Sequence, residues 1–274
     1  MVDGNYRAAF SLSEPDSGSD AAALRCKAVP DGDTWILNGT KMWVTNGVRA
    51  SIVMLLARTP DDRITCFIVE KEPGSSFEGI SVSKTIPKLG YKGLETVEMA
   101  YVDHRVPDAN MLGGADGMGN GLRYALSALE LGRINIAARA VGVGQAAFDA
   151  AMRYAQERET FGVPIFKHQA IQFKLAEMAT KLQAARLMTY DAADKNDRGD
   201  RIDLEAGMAK LFASEAAFEI ASEALRIHGG NGFTQEYDVE RYFRDTPLMI
   251  IGEGTSEVQK MVIARKLLER HAID

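Results

Sequence analysis

The chain has 274 residues, of which 46% are apolar and 26% charged, and its net charge is −6. This profile is typical of a globular protein with one large or two medium domains. The acidic balance argues against nucleic-acid binding, which favours a basic surface. No run of about 18 uncharged apolar residues occurs, so no membrane span is predicted. Cys26 and Cys66 form no metal-type spacing and no disulfide framework is expected, which favours a reducing, cytoplasmic compartment.

The first part of the chain has the pattern of a β domain. Short stretches rich in Val, Ile and aromatic residues alternate with turn signals, and Asn38-Gly39 and Asn46-Gly47 are dipeptides typical of hairpins or tight turns. Several short strands at this spacing predict an antiparallel barrel or sandwich. The glycine-rich stretch "GGADGMGNG" is expected to link this domain, residues 1–114, to a second domain at residues 115–274.

The second part has helical periodicity. Its third helix is expected to end at Gly229-Gly230, as a helix C-terminus should. Four long helices with short connections predict an antiparallel up-and-down bundle. The predicted fold class is therefore α+β, an antiparallel β-barrel or sandwich domain followed by an antiparallel four-helix bundle. The four predicted helices cover roughly residues 122–158, 168–195, 203–230 and 255–269.

Two stretches of the β domain carry candidate binding residues. In "SLSEPDSGSD" at 11–20, backbone N–H groups and the hydroxyls of Ser13 and Ser19 can face a phosphate or the polar edge of a ligand. A polar loop is the simpler interpretation. In "KMWVTNG", Trp43 and Thr45 lie on the same face of a strand. Trp43 can form a wall for a planar cofactor, although such residues more often belong to a core.

The connections between the helices contain three further candidates. Arg158 can grip a phosphate with two hydrogen bonds, although an arginine at a helix end usually faces solvent or caps carbonyls. His168 is expected to start a helix rather than to bind a metal, because no partner stands at ligand spacing. The glycine-rich stretch at 226–233 follows a helix and lacks the context of a dinucleotide fingerprint, so a helix stop is expected. No metal site is predicted.

The clearest catalytic candidate is Glu253, between Gly252 and Gly254. A helix is expected to start directly after it, with Thr255 or Ser256 as the N-cap. A solvated loop charge is the simpler interpretation. The preceding apolar "PLMII" and the flanking glycines favour instead a carboxylate at an apolar site that another molecule can approach closely. Such a group can act as a general base, and nearby N–H groups can bind an anionic oxygen.

Five linked stretches of the sequence together resemble the acyl-CoA dehydrogenase family over residues 8–270: "SLSEPDSGSD", "NGTKMWVTNG", "ERETFGVPIFKHQAIQFKLAEMA", "IHGGNGFTQEYDVERYFRD" and "GEGTSEVQKMVIAR". The resemblance implies a flavoprotein oxidoreductase of fatty acid and lipid metabolism. Such an enzyme introduces a trans α,β double bond into an acyl-CoA thioester with FAD as cofactor. It also implies electron-transferring flavoprotein as electron acceptor and a homodimer or homotetramer.

The resemblance assigns roles to individual residues. Glu253 matches the base that removes the α-proton, while the β-hydrogen leaves as hydride to flavin N5. The backbone N–H of Glu253 and a ribityl hydroxyl would hold the thioester oxygen. Relatives that carry their base on the first bundle helix have it where this chain has Gly132. Matches to cofactor-binding positions are Phe10, Leu12, Ser13, Gly18, Ser19, Trp43, Thr45, Arg158, Thr160, His168, Gln169, Arg226, Gly229, Gly230, Thr255 and Glu257, those from Arg158 to Gly230 reaching the FAD of a neighbouring subunit. Matches to substrate-binding positions are Ser19, Glu130, Arg133, Gly254 and Arg265.

The chain also departs from the family pattern. Arg226 and Glu257 stand where many members have Gln, and Gly252 replaces a bulky aromatic residue, which could widen the pocket. The family's N-terminal helical domain has no counterpart here, which favours a truncated sequence over a natural short form. Two other functions stay open: a flavin oxidase or monooxygenase on the same scaffold, and a non-catalytic protein that binds CoA or a partner.

Overall fold

The computed structural model describes residues 2–272 and forms two compact units, with the boundary between Ala128 and Leu129. The first unit is built around one eight-stranded sheet with the strand order β1-β4-β2-β3-β8-β7-β6, in which β5 also pairs with β4. The strands are β1 (Ala8–Ser11), β2 (Lys27–Asp31), β3 (Thr34–Thr45), β4 (Ile52–Arg58), β5 (Ile64–Glu70), β6 (Ser76–Phe77), β7 (Ile80–Val82) and β8 (Thr96–Pro107).

The predicted β domain is present, but its sheet is mixed rather than antiparallel throughout. β4 runs parallel to β1, and it also pairs in parallel with β2 at Lys27 and Arg58. Parallel neighbours need a long connection, and the chain between β1 and β4 is long enough to provide one. The other strand pairs are antiparallel, and the inner face of the sheet is covered by apolar side chains such as Leu37, Val53 and Phe67.

The turn predicted at Asn38-Gly39 is wrong, because both residues lie inside β3. The pairing of β3 with β8 shifts register between Leu37 and Gly39, which marks a β-bulge. A Cβ atom at Gly39 would lie 2.7 Å from the Cα of Cys26, so the glycine admits a close backbone approach. Asn46 does lie in a turn, with a left-handed φ of 64°.

The second unit is helical, and the four long helices predicted from the sequence are present. The elements are α1 (Gly121–Glu157), whose first turns belong to the first unit, β9 (Glu159–Thr160), β10 (Val163–Pro164), α2 (Gln169–Asp197), α3 (Asp203–His228), α4 (Val239–Asp245), α5 (Pro247–Ile251) and α6 (Ser256–Arg270). The short helices α4 and α5 were not predicted. None of the described helices is long and apolar enough to cross a membrane.

Small side chains let α1, α2 and α3 approach closely. Ala140, Ala185 and Ala213 are buried in one cluster that joins the three helices. A Cβ atom at Gly144 would lie 3.4 Å from the side chain of Leu182, an ordinary van der Waals distance, so this glycine faces the neighbouring helix α2. A Cβ atom at Gly142 would meet no atom of the described residues within 4 Å. This packing sets the frame on which the loop of Glu253 is held.

Candidate active site

The loop between α5 and α6 carries Glu253 in an unusual backbone conformation. Glu253 has φ 55° and Gly254 has φ 91°, both left-handed, whereas Gly252 is extended with φ −69° and ψ 151°. A left-handed conformation is uncommon for a residue other than glycine. The hydroxyl of Thr255 accepts a hydrogen bond from the N–H of Val258 at 3.3 Å, so Thr255 is the N-cap of α6. The sharp turn expected from two glycines is made by Glu253 and Gly254.

The apolar stretch before the loop does not run through the interior. "PLMII" forms the short helix α5, in which Met249 is buried while Leu248 and Ile251 are 42% and 62% exposed. The stretch "PLMII" therefore does not create the apolar site that was predicted for Glu253, and that prediction is wrong on this ground. Glu253 as a whole is half-buried, but its Oε2 atom is buried at the contact with α1.

The carboxylate of Glu253 packs against the backbone of α1 at Gly132. A Cβ atom at Gly132 would lie 2.0 Å from Oε2 of Glu253, so only glycine leaves room for the carboxylate in this position. Oε2 is buried and accepts no hydrogen bond from any residue of the described part. Buried polar atoms normally have partners, and an exception often marks a functional group. The sequence identified Gly132 only as a position without a competing base.

The charge of Glu253 is set by burial and by three cations. Burial raises the pKa of Glu253, and the charges of Arg139, Lys210 and Arg133 oppose this rise without cancelling it. Arg133 is itself 7% exposed, and its Nε has no hydrogen-bond partner in the described chain. The result is a carboxyl group that takes up a proton more readily than an exposed glutamate.

A second feature of the loop is a backbone donor. Within residues 2–272, the N–H of Glu253 donates to no backbone carbonyl. It lies in a turn directly before the N-cap of α6, where N–H groups are not used by the helix. An N–H group next to a base can hold the oxygen of a reacting carbonyl.

Two buried side chains that are not among the predicted site residues contact the backbone of this loop. The Nζ of Lys210 donates to the carbonyls of Ile250 at 3.1 Å and Gly254 at 2.8 Å. The Nε2 of Gln259 donates to the carbonyls of Glu253 at 3.2 Å and Gly254 at 3.3 Å. A signal for Lys210 exists in the sequence, because it is a charged residue on the alanine-rich face of a predicted helix.

In the first unit, the predicted cofactor residues Trp43 and Thr45 both lie on the exposed side of β3. Trp43 is 56% exposed and Phe10 is 41% exposed, so the alternative of a core position for Trp43 is wrong. Trp43 also has a left-handed φ of 61° at the second irregularity of β3. Large aromatic rings held at a surface are suited to contact with a planar ligand.

The predicted ligand loop of the first unit is anchored by a buried ion pair. The Nζ of Lys41 is 2.8 Å from Oε1 of Glu14 and donates to the carbonyl of Leu12 at 2.9 Å. The carboxylate of Glu14 also accepts from the N–H groups of Arg25 at 2.6 Å and Cys26 at 2.9 Å. The other predicted residues of this loop are half-buried or exposed: Ser13, Gly18 and Ser19.

The remaining predicted residues of the second unit lie mostly at its surface. His168 is the N-cap residue of α2, and its Nε2 is 2.9 Å from Oγ1 of Thr160. The structure thus brings these two predicted residues together, and His168 starts a helix as expected. Glu130 is half-buried on α1. The exposed predicted residues are Arg158, Gln169, Arg226, Gly229, Gly230, Glu257 and Arg265.

Residues 9–103 match the family model of the acyl-CoA dehydrogenase middle domain, and residues 119–268 match that of the acyl-CoA dehydrogenase C-terminal domain. An acyl-CoA dehydrogenase of Bacillus subtilis is 43% identical over 98% of this chain and 70% of its own length. A 3-(aryl)acrylate reductase of Clostridium sporogenes is 44% identical over 98% of this chain and 71% of its own length.

The structure of butyryl-CoA dehydrogenase from Megasphaera elsdenii is similar at a TM-score of 0.91 and 39% identity, covering 97% of this chain and 69% of that one. The matched segments include both the mixed sheet of the first unit and the helices of the second. The resemblance seen in the sequence motifs is thereby confirmed. The chain belongs to the acyl-CoA dehydrogenase family of enzymes.

Proposed function

We propose that this protein catalyses the FAD-dependent α,β-dehydrogenation of an acyl-CoA thioester, with Glu253 as the base. The observation that carries the proposal is the half-buried carboxylate of Glu253, which packs against Gly132 with Oε2 buried and unpartnered. A base needs a free lone pair aimed at the proton that it removes. The left-handed loop fixes this group in place rather than leaving it to move in solvent.

The residues of the first unit fit a flavin. The exposed rings of Phe10 and Trp43 can contact a planar ring system, and the loop tied down by Lys41 presents Ser13 and Ser19 as polar partners. In the second unit, the exposed guanidinium of Arg158 suits a phosphate of the same cofactor type. The chemistry that FAD supplies, when bound, is the acceptance of two electrons as the hydride of the β carbon at its N5.

The proton transfer is carried out by a side chain of the protein, Glu253. The carboxylate of Glu253 takes the proton from the carbon next to the thioester carbonyl, and the electron pair of the broken C–H bond moves toward the carbonyl. The negative charge that develops on the carbonyl oxygen is held by the N–H of Glu253. The raised pKa of Glu253 makes it a stronger base than an ordinary carboxylate, which favours removal of a weakly acidic proton.

The replacement of Glu253 by Gln tests this function. In the purified protein saturated with FAD, anaerobic addition of short, branched and long acyl-CoAs is expected to bleach the flavin absorbance. Glu253→Gln should keep the flavin spectrum and slow bleaching by roughly 100-fold to 10,000-fold, the usual contribution of a positioned base. Bleaching at the parent rate would show that another group is the base. A protein that takes up no FAD would instead support the non-catalytic alternative.

We extend the proposal to the electron acceptor and the assembly. An electron-transferring flavoprotein is the expected acceptor, as implied for the family. Assembly into a homodimer or homotetramer is supported by exposed apolar side chains on the second unit. These include Phe173 at 58% and Tyr190 at 61% on α2, and Met261 at 73% and Leu268 at 74% on α6. Exposed large apolar side chains favour an interface between subunits where they form a contiguous patch.

The reverse reaction is a second candidate. It is favoured by the relative named 3-(aryl)acrylate reductase, which is as similar to this chain as the relatives named dehydrogenases. The same groups serve both directions, because the acid that returns the α-proton is the protonated form of Glu253. Mixing the chemically reduced protein with arylacrylate and with enoyl-CoA tests this function. Faster reoxidation by the arylacrylate would support the reductase.

A further inference from the structure

One buried side chain near the candidate base has no part in the chemistry described above. Lys210 lies on α3, its side chain is 0% exposed, and it is among the largest fully buried residues of the described chain. Lysine is almost never buried unless its charge is partnered, since its transfer from water costs free energy. The partners of this lysine therefore indicate what it does.

Both hydrogen-bond acceptors of Lys210 are backbone carbonyls of the segment that carries Glu253. One belongs to Ile250 near the end of α5, at 3.1 Å, and the other to Gly254, at 2.8 Å. They stand on either side of Glu253 in the chain, so a single ammonium group links the two ends of the loop. The carbonyls at the end of a helix lack helical partners and attract cations, which explains why an ammonium binds there.

The loop has a second attachment to α3 and a neighbour on α6. Glu215, five residues after Lys210 on α3, accepts a hydrogen bond at 2.6 Å from the hydroxyl of Ser256. The buried Gln259 donates to the carbonyls of Glu253 and Gly254. The loop is thus held from two helices, but Lys210 is the member of this set that brings a positive charge.

We propose that Lys210 is a positioning residue for the base, which clamps the left-handed loop through two carbonyls and brings a buried positive charge to this loop. The proposal rests on the function proposed for Glu253. Without this clamp, the strained backbone of Glu253 would relax, because the left-handed conformation persists only when surrounding contacts impose it. The carboxylate would then leave its place on Gly132.

The charges that face the two groups come from three helices. Glu253 faces Arg133 and Arg139 of α1 and Lys210 of α3. Burial lowers the pKa of Lys210 to about 8, and the positive charge of Arg133 acts in the same direction. The negative charges of Glu215, Glu253 and Glu257 oppose this lowering. Lys210 is therefore mostly protonated at neutral pH. Removal of this charge is expected to raise the pKa of Glu253 further, because one of the three positive charges that oppose the effect of burial is lost.

The test compares Lys210→Met with Lys210→Arg and with the control Lys181→Met, on the full chain. Lys181 is half-exposed on α2 and pairs with Glu219 of α3, so this ion pair involves no residue of the loop. Two readouts need neither substrate nor bleaching: hydrogen exchange of peptides covering residues 248–258, and the carboxyl carbon resonance of Glu253 followed against pH. The resonance is assigned by its absence in Glu253→Gln.

Lys210→Met should speed exchange in this segment by roughly tenfold or more and move the titration of Glu253 to higher pH. Lys210→Arg keeps the positive charge and the hydrogen-bond donors, so its exchange and its Glu253 titration should stay close to those of the parent. Lys181→Met should change neither. Flavin bleaching by acyl-CoA should be slower in the methionine variant. The pH below which the bleaching rate falls should be higher than in the parent. If the methionine variant does not fold, Lys210→Gln, which is neutral and of similar size, replaces it in every comparison.

Unchanged exchange and an unchanged Glu253 titration in the neutral variant would overturn the proposal. The proposal would also be overturned if Lys210→Arg showed the same faster exchange and the same shifted Glu253 titration as Lys210→Met while keeping the parent melting temperature. A failure of the parent protein to be bleached by any acyl-CoA would reject the proposed function alone. The exchange and titration results would still decide the role of Lys210 in holding the loop.

Discussion

At the residue scale, the position of the candidate base depends on an absent side chain. The carboxylate of Glu253 occupies the space that a Cβ atom of Gly132 would fill, 2.0 Å from Oε2. Gly132→Ala must displace the carboxylate, and a displacement of about 1 Å at a catalytic group can cost roughly 100-fold in rate. We therefore expect anaerobic flavin bleaching by an acyl-CoA to slow by about that factor, measured by stopped-flow absorbance.

The matched control for this prediction is Gly142→Ala on the same helix. A Cβ atom at Gly142 meets nothing within 4 Å, so the substitution should leave the rate unchanged. It should also stabilise α1 by up to about 1 kcal/mol, because alanine favours a helix more than glycine does. Equal rates in the two variants would contradict the role given to Gly132.

The raised pKa of Glu253 predicts two pH effects of opposite sense. The base acts only when it is ionised, so the bleaching rate should fall as the pH decreases. Because the pKa of Glu253 is raised, this fall should occur at a higher pH than it would for an ordinary glutamate with a pKa of 4.5. In the folded state the group keeps its proton over a range where the unfolded chain has lost it. Its contribution to stability is therefore full below the unfolded pKa and is lost as pH rises through the folded pKa.

Glu253→Gln cannot ionise and should escape this loss. Its melting temperature relative to the parent should rise as pH increases above the ordinary glutamate pKa, as measured by circular dichroism at a series of pH values. A difference that stays constant with pH would show that the carboxyl group of Glu253 titrates normally in the folded protein.

At the element scale, the loop after β1 is held to β3 by the buried pair of Glu14 and Lys41. Burial alone would raise the pKa of Glu14, but the hydrogen bonds from Lys41 and from the N–H groups of Arg25 and Cys26 outweigh it and leave the pKa lowered. The pair therefore contributes stability above the ordinary glutamate pKa, and this contribution is lost as pH falls through the lowered value.

Lys41→Met should destabilise the first unit by about 3–5 kcal/mol, because it leaves the carboxylate of Glu14 buried without its cation. Urea denaturation followed by the fluorescence of the two tryptophans, Trp35 and Trp43, measures the change. Lys27→Met, at an exposed position of β2, should change stability by less than about 0.5 kcal/mol. A similar small effect at Lys41 would mean that the ion pair contributes no net stability.

Helices and strands differ in how far their sequences predict them. The four long helices follow from periodicity, because one face of each packs against its neighbours over many turns. The short helices α4 and α5 have too few turns for a period to show. Asn38-Gly39 resembles a hairpin turn in sequence, yet it forms a bulge in β3, since the approach of Cys26 and the pairing with β8 override the local preference.

At the scale of the whole molecule, the division into a β unit and a helical unit follows from the change in periodicity along the chain. The boundary at Ala128 lies inside α1 rather than in the glycine-rich stretch before it. The start of α1 belongs to the first unit because Ala125 is buried with Leu24, Leu56 and Cys66. A pattern of residues predicts that a helix exists, but its packing partners decide to which unit its turns belong.

The sequence by itself determined the family, the order of the two units and the identity of the candidate base, because these depend on motifs and on periods along the chain. Only the tertiary structure decided what surrounds that base. Gly132 and Lys210 lie far from Glu253 in sequence, whereas Gln259 lies six residues after it in the same motif, and the packing of α1, α3 and α6 brings all three to the loop. The pKa of a buried carboxyl group and the conformation of a strained turn are set by such contacts, which no local pattern records.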